Sequence, residues 1–409
     1  MQSIKISYRD FDASKNVFLL QRYTASELLF PNLKSFQYFP NETDALTPFI
    51  HLLLSPQTTK IEIEPDPTPP PLEISTFPIF CPNLEHISFR DRHRRDVSIE
   101  VVSGMLITCN RDSLRYFLAD CPLTWEAREV VCQFPKLSEL QLVIEGPELL
   151  PKLALPNLTE LTVKYDNSLE WLQGFHGATL DKLESVIFRS HSKRFQGNIL
   201  ENFERFTRNT SIRKTLSRFR FTTFSSWDLG FSPLLSFTQL KELKIGFACG
   251  TNCSLGVDDK SIKALARAMP KLEVLLLGGL PCGTPAGATV RGLVALTSHC
   301  LHLCKLRIHF QADTLDGKVK EAAIASLPID KSIFCALTCL EVGDIPIPFM
   351  QSDEAVARVL LQIFPHISHV QSSNRRWESV ARKIDELRQS RASVFYQRKA
   401  HPLAAFDNS

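Results

Sequence analysis

The stretch "FPKLSELQLV" (Phe134 to Val143) returns almost unchanged as "LPNLTELTVK" (Leu155 to Lys164), and this self-similarity constrains the fold of the 409-residue chain more than any other feature. An apolar residue, often followed by proline, precedes L-x-x-L-x-L. Further copies are "FPNLKSFQYF" from Phe30, "CPNLEHISFR" from Cys81, "DSLRYFLAD" from Asp112, "LDKLESVIFR" from Leu180, "FTQLKELKIG" from Phe237, "MPKLEVLLLG" from Met269, "CLHLCKLRIH" from Cys300, "ALTCLEVG" from Ala336 and "FPHISHVQ" from Phe364. Weaker ones are "TTKIEIE" from Thr58 and "TLSRFRF" from Thr215. The first apolar anchors are Leu33, Leu84, Leu114, Leu137, Leu158, Leu183, Leu216, Leu240, Leu272, Leu303, Leu337 and Ile367, and adjacent clear copies lie 21 to 34 residues apart.

The last two leucines of each copy alternate with polar residues, the period of a short strand with one face inward. The first leucine anchors the turn into that strand. A single unit cannot bury its apolar side, so units must stack and share one continuous core. Pattern and period are those of leucine-rich repeats, some of them lengthened. The expected fold is an α/β leucine-rich-repeat solenoid, right-handed and curved. Its parallel sheet lies on the concave face, with helices and irregular segments on the convex face. The repeats are expected over residues 1–372, about a dozen irregular units, followed by a capping helix at 373–400 and a frayed tail at 401–409.

Several units carry a helix signal between strands. In "LGVDDKSIKALARAMP" either Asp258 or Asp259 suits the cap, Ile262, Leu265, Ala266 and Met269 form an inward stripe, and Pro270 follows the end. "TVRGLVALTSHCLHL" repeats the scheme with Val290, Leu293, Val294 and Leu296, and "AVARVLLQIFP" does so again. The short linker between the Leu137 and Leu158 anchors predicts irregular or 3₁₀ structure instead. Val380, Ile384 and Leu387 share one face of the closing helix. At the other end "MQSIKIS" reads as the tail of a repeat strand, with Ile4 and Ile6 inward. The chain is therefore expected to begin inside a repeat, through truncation or through an odd first strand.

Composition excludes several classes. With 44% hydrophobic and 22% charged residues the chain folds rather than stays disordered, and a net charge of +3 gives no global field for nucleic acid or membrane. Asp10, Asp12 and Lys15 interrupt any secretory core, and apolar runs such as Val274–Leu277 fall far short of the roughly 20 residues of a membrane span. The eleven cysteines include no C-x-x-C pair. Cys249/Cys253, Cys300/Cys304 and Cys335/Cys339 share a gap but no histidine framework, so they read as small buried residues in a reducing compartment rather than zinc ligands. Asn157 opens an N-x-T tripeptide, but it lies inside the repeat turn, where a sugar has no room.

No nucleotide-binding, hydrolase-elbow or metalloprotease motif is present, so neither an enzyme nor a cofactor is expected. His366 and His369, three apart, read as exposed residues of the last repeat strand. The glycine-rich segment Gly278–Gly292 lacks the lysine and glycine spacing of a phosphate loop and reads as a lengthened connection. The P-x-x-P at Pro67 and Pro70 reads as a stiff loop, with an extended ligand for an aromatic groove as the alternative. "RDRHRRD" (Arg90 to Asp96) mixes signs and reads as an exposed loop. From Arg189 to Arg220 nine basic residues face two acidic ones, a local charge of +7, with Phe195, Phe203, Phe206, Phe219 and Phe221 interleaved. Phe219 and Phe221 hold strand positions and Phe203 and Phe206 helical ones, which favours a solvated convex face over an acidic-partner surface or a nucleic-acid site.

The succession "FPNLKSF", "TPFIHLLLSPQTTKIEIE", "FCPNLEHISF", "SPLLSFTQLKELKIGF", "VDDKSIKALARAMPKLEVLLLG", "TVRGLVALTSHCLHLCKLRIHF" and "LEVGDIPI" resembles fungal F-box proteins with leucine-rich repeats, of the kind common in mushroom-forming fungi. The resemblance spans roughly residues 4 to 380. It implies an F-box that docks on a Skp-type adaptor of a ubiquitin ligase, with repeats that hold the substrate. The "LPxE" opening and helices of an F-box have no match in this sequence, so the adaptor is a partner only if an F-box lies upstream.

The expected function is protein binding on the concave face, as the substrate-recognition part of an F-box-type ligase receptor in the cytoplasm or nucleus. The alternative is a free-standing repeat scaffold or inhibitor. Candidate contacts lie two, four and six residues past each anchor. They are Ser35, Gln37 and Phe39; His86, Ser88 and Arg90; Tyr116 and Leu118; Glu139 and Gln141; Glu160, Thr162 and Lys164; Arg189; Glu242 and Lys244; Val274 and Leu276; and Lys305, Arg307 and His309.

Overall fold

A computed structural model describes residues 2–7, 29–39, 50–64, 72–90, 96–146, 150–166, 168–190, 199–223, 231–247, 257–278, 287–315, 335–343, 345, 347, 351–372 and 374–400. The Pro67/Pro70 motif, residues 91–95 of the mixed-charge loop, 191–198 of the basic stretch, Cys249, Cys253, 279–286 of the glycine-rich segment and the 401–409 tail lie outside the described residues.

The chain divides into two compact units, Met1–Leu216 and Ser217–Ser409. The first carries β1 (Ser3–Ser7), β2 (Ser35–Phe39), β3 (Lys60–Ile63), β4 (His86–Phe89), β5 (Tyr116–Pro122), β6 (Glu139–Ile144), β7 (Glu160–Tyr165) and β8 (Ser185–Ser190). The second carries β9 (Arg218–Thr223), β10 (Glu242–Phe247), β11 (Val274–Leu277), β12 (Lys305–Arg307), β13 (Cys339–Gly343) and β14 (His369–Ser372). Within each unit every strand pairs in parallel with the next in chain order. Each unit is thus an α/β leucine-rich-repeat solenoid, as the periodicity requires.

The recurring turn has a simple cause. In "FPNL", "CPNL", "FPKL" and "LPNL" the anchor N–H closes back on the carbonyl three residues earlier, at 3.1 Å for Leu33 on Phe30, 3.2 Å for Leu84 on Cys81, 3.3 Å for Leu137 on Phe134 and 3.1 Å for Leu158 on Leu155. Proline at the second place of such a turn presets its φ and gives up an N–H the turn does not need. The two N–H groups after each anchor then share one carbonyl of the preceding unit. Ser138 and Glu139 donate to Arg115, Thr159 and Glu160 to Ser138, and Glu184 and Ser185 to Thr159. The turn asparagines extend this ladder, Asn83 donating to the Pro56 carbonyl and Asn157 to that of Pro135 at 2.8 Å. The turn and its hydrogen bonds to the preceding unit therefore set strand register alongside the buried leucines.

Behind the sheets lies the core. Phe36, Tyr38, Leu140, Leu161, Val163, Phe219, Phe221, Leu243 and Leu306 are buried at alternate strand positions. Trp171 sits edge-on to Phe188 at 4.9 Å, and Phe175 meets Phe206 at 5.2 Å, an aromatic layer shared by β7, β8, the 3₁₀ turn Glu170–Phe175 and a helix over Ile199–Thr207. Edge-to-face rings contribute about 0.5–1.5 kcal/mol beyond their area.

Helices fill the longer connections. One spans Asp259–Ala268, and its cap is Asp258, whose carboxylate accepts from the Ser261 N–H at 2.7 Å. Asp259 does a different job. It accepts from the Thr289 N–H at 2.7 Å, the Thr289 hydroxyl at 2.6 Å and the Gly292 N–H at 3.0 Å, fastening the start of the next helix, Val290–His299. Ser352 caps the helix Asp353–Ile363. The connection after β6 has no helix among the described residues, and the 3₁₀ turn comes one unit later, at Glu170–Phe175. The last helix, Arg375–Ala400, is pinned by Trp377. Its indole N–H donates to the Ile345 carbonyl at 2.7 Å and its ring meets Phe310 at 6.1 Å, while Val380 and Ile384 are buried.

Two sequence readings need correction. His366 lies in the turn before β14 rather than in the strand, because the anchor Ile367 closes its turn on Phe364. The basic stretch is not one convex surface. Arg208 and Lys214 sit on the helical side, Arg213 donates to the Thr207 carbonyl, and Arg189, Arg218 and Arg220 lie on strands β8 and β9.

Candidate functional site

Strand alternation turns every other side chain away from the core onto an open sheet face. On the first unit the register sets Ser35, Lys60, His86, Tyr116, Glu139, Glu160 and Ser185 in one row and Gln37, Glu62, Ser88, Leu118, Gln141, Thr162 and Ile187 in the next. Phe39, Arg90, Lys164 and Arg189 stand further along, and Phe39, Glu62, Glu64, Ser88 and Arg90 line one shallow recess. On the second unit Arg218, Glu242, Val274, Lys305, Cys339 and His369 make one row, and Arg220, Lys244, Leu276, Arg307, Glu341 and Gln371 the other. His309 is half-buried just past β12. The repeat rule thus places its candidates on the two open faces. Ser88, Thr162 and Leu276 are nonetheless covered by neighbours, with 2%, 7% and 8% of their surface exposed.

The carboxylates on these faces are clasped. Glu62 forms an ion pair with Lys60 at 2.7 Å, accepts from Gln37 and lies 3.9 Å from His86. Burial pushes its pKa up, but Lys60 and Gln37 outweigh this and hold it below the ordinary value. The pKa of His86 is lowered too, by burial first and then by Lys60, so its neutral form is favoured. Its ring lies tilted by 38° against that of Tyr116, with centroids 5.4 Å apart. Asp120, in a β-bulge of β5, accepts from Gln141 and pairs with Lys164, which reaches it across β6.

In the second unit Glu242 pairs with Arg220 and with Lys244 at 3.1 Å. Glu341, only 3% exposed, pairs with Lys305 at 2.6 Å and with Arg307. Burial raises both carboxyls, and the paired cations more than reverse it, so both titrate below the usual range. Lys305 is raised by its bond to Glu341 and stays charged.

Several face residues escaped the sequence rule. Lys60 and Glu62 follow Thr58, a threonine in the anchor place, whereas Asp120, six residues past Leu114, fits the spacing, and only its pairing with Lys164 across β6 lay beyond the rule. Glu341 had a legible signal, since it stands four residues past Leu337 in register with Arg307.

Other chemistry is sparse. The eight described cysteines are free thiols, and burial lifts Cys81, Cys109, Cys132 and Cys300 to about 12. Among the described residues no group of three His, Cys, Asp or Glu side chains is placed to hold a metal, and no helix is long and apolar enough to cross a membrane.

Comparison with known proteins finds no matching family model and no matching curated protein. Among solved structures, the leucine-rich repeat-containing protein LegL7 from Legionella pneumophila is similar over 93% of this chain and 97% of its own, at 10% identity and a TM-score of 0.34. The PEPR1-AtPEP1 structure is similar over 84% of this chain and 48% of its own, at 13% identity and a TM-score of 0.38. A protein from Bacteroides fragilis is similar over 91% and 74%, at 12% identity and a TM-score of 0.27. With scores this low, the repeat assignment rests on the strand register itself.

Proposed function

We propose that the chain is a protein-binding repeat module whose open sheet faces hold the partner, and that it serves as the substrate-recognition part of an F-box-type ubiquitin ligase receptor in the cytoplasm or nucleus. One observation carries the binding reading. Successive strands hold alternate side chains in register on an open face, where polar, charged and half-buried aromatic groups lie side by side while their sequence neighbours are sealed in the core. Such a strip offers closely spaced, preorganised contacts that need little ordering on association. The ligase role draws on the sequence resemblance. The candidate contacts remain those named above, with Lys60, Glu62, Asp120, Arg220 and Glu341 added. The helix Arg375–Ala400 acts as the cap of the last repeat.

The binding reading is tested with a partner captured from the native host. Lys164→Glu or Lys244→Glu should release it, and Lys214→Glu on the helical side should not. Release by Lys214→Glu alone would move the site off the sheet. Pull-down of a Skp-type adaptor with the chain extended to any upstream F-box tests the ligase role. Failure there leaves a free-standing scaffold.

A further inference from the structure

We propose that the open face of the second unit takes an extended acidic protein segment, with an apolar side chain of the segment seated on the half-buried Val274 between its carboxylates. The proposal rests on the reading that the sheet face binds protein, and adds the chemistry of what it binds.

The charges on this face are uneven. Among the described residues of this face, Arg218, Arg220, Lys244, Lys305 and Arg307 stand against Glu242 and Glu341, five cations to two anions, a net +3. The described residues of the first unit's face hold Lys5, Lys60, Arg90, Lys164 and Arg189 against Glu62, Glu64, Asp120, Glu139 and Glu160, a net of zero. Each carboxylate of the second face already has two cationic partners, so each cluster is a preformed clamp of charge +1. A lysine ammonium has three N–H donors and a guanidinium five, so donors remain after the internal pair is made.

The two clamps flank an apolar strand. β11 offers Val274 and Leu276 where its neighbours offer Glu242 and Lys244 on one side and Lys305 and Arg307 on the other. Strands lie about 4.8 Å apart, so Lys244 and Arg307 stand on strands about 10 Å apart. An extended peptide advances roughly 3.3 Å per residue. Alternate side chains of an extended segment share one side, so two acidic residues four apart, about 13 Å, reach the long side chains of the clamps with the residue midway between them over β11. Nucleic acid fits less well. Among the described open-face positions of this unit there is no Phe, Tyr or Trp to stack a base, and Glu242 and Glu341 would face phosphates.

The test uses the whole chain and a fluorescein-labelled peptide, Gly-Ser-Glu-Ser-Leu-Ser-Glu-Gly, read by fluorescence anisotropy. Saturable binding is expected below about 1 mM, weakened severalfold or more in about 0.5 M salt. The Lys244→Gln/Lys305→Gln double variant leaves Arg220 on Glu242 and Arg307 on Glu341, and should bind about tenfold more weakly with an unchanged circular dichroism spectrum. Should that variant misfold, the salt titration of the unaltered chain decides. Lys214→Gln, on the helical side of the first unit, should change nothing. The proposal is overturned if the peptide does not bind, if binding ignores salt, if the double variant folds and keeps full affinity, or if the lysine-for-glutamate peptide or a polythymidine strand binds as well. A captured partner that Lys164→Glu releases, together with an acidic peptide that fails, would sink this inference and leave protein binding intact.

Discussion

On the first unit's open face, Glu62 is held by Lys60 and Gln37, and Asp120 by Gln141 and Lys164, so most local charge is answered locally. On the second unit's face Glu242 and Glu341 each carry two cations and leave an excess. Both faces use the same register and the same turn. The backbone repeat decides where side chains go, and the residues at outward places decide what each face can meet.

The sharpest way to break this comparison is to damage one unit's core and watch the other. Trp171→Ala and Trp377→Ala each remove a fully buried indole and should cost about 3–5 kcal/mol. Hydrogen exchange should rise first in the unit that carries the substitution, because repeats lean on their nearest neighbours. Equal loss of protection in both units would mean that the division at Leu216 has no energetic meaning.

Glycine substitutions come next. A Cβ at Gly174 would lie 2.7 Å from Leu150 Cβ and 2.8 Å from the Leu150 carbonyl oxygen. At Gly292 it would meet the Asp259 carboxylate and Ile262, both at 2.9 Å. Each alanine should cost about 1–3 kcal/mol in thermal unfolding, more at Gly174, where backbone must move. Asp258→Ala removes a helix cap and should cost about 1 kcal/mol.

Acid should then separate the faces. Glu62, Glu242 and Glu341 have folded-state pKa values below their ordinary ones, so their stabilisation is complete above the ordinary carboxylate pKa and is lost as pH falls toward the folded value. His86 is also depressed, so its contribution fades earlier, as pH drops below the ordinary histidine value. His86→Gln should flatten the denaturation curve near pH 6 and Glu341→Gln near pH 4. Unchanged curves would show that these clasps hold no net stability.

Much of this was legible from leucine spacing. Anchors, turns and inward residues such as Phe219 and Phe221 follow from local chemistry repeated many times. Local rules stop where one side chain answers another across units. Nothing in "VDDKS" tells which aspartate caps the helix and which fastens Thr289, since that depends on a neighbour thirty residues away. The bulge that brings Asp120 to Lys164 is likewise a property of two strands together. "TTKIEIE" hid its face residues because threonine, bonded to the Leu33 carbonyl at 3.0 Å, replaces the leucine anchor.

Paired cysteines on the open face test the central geometry most directly. Partners in register on adjacent strands lie about 4.8 Å apart, within disulfide reach. Glu160→Cys with Ser185→Cys in the first unit, and Arg307→Cys with Glu341→Cys in the second, should cross-link quickly under mild oxidation, as mapped by mass spectrometry. Glu160→Cys with Val186→Cys, shifted by one residue onto the core side, should not. Faster linking of the shifted pair would contradict the outward alternation on which both faces depend.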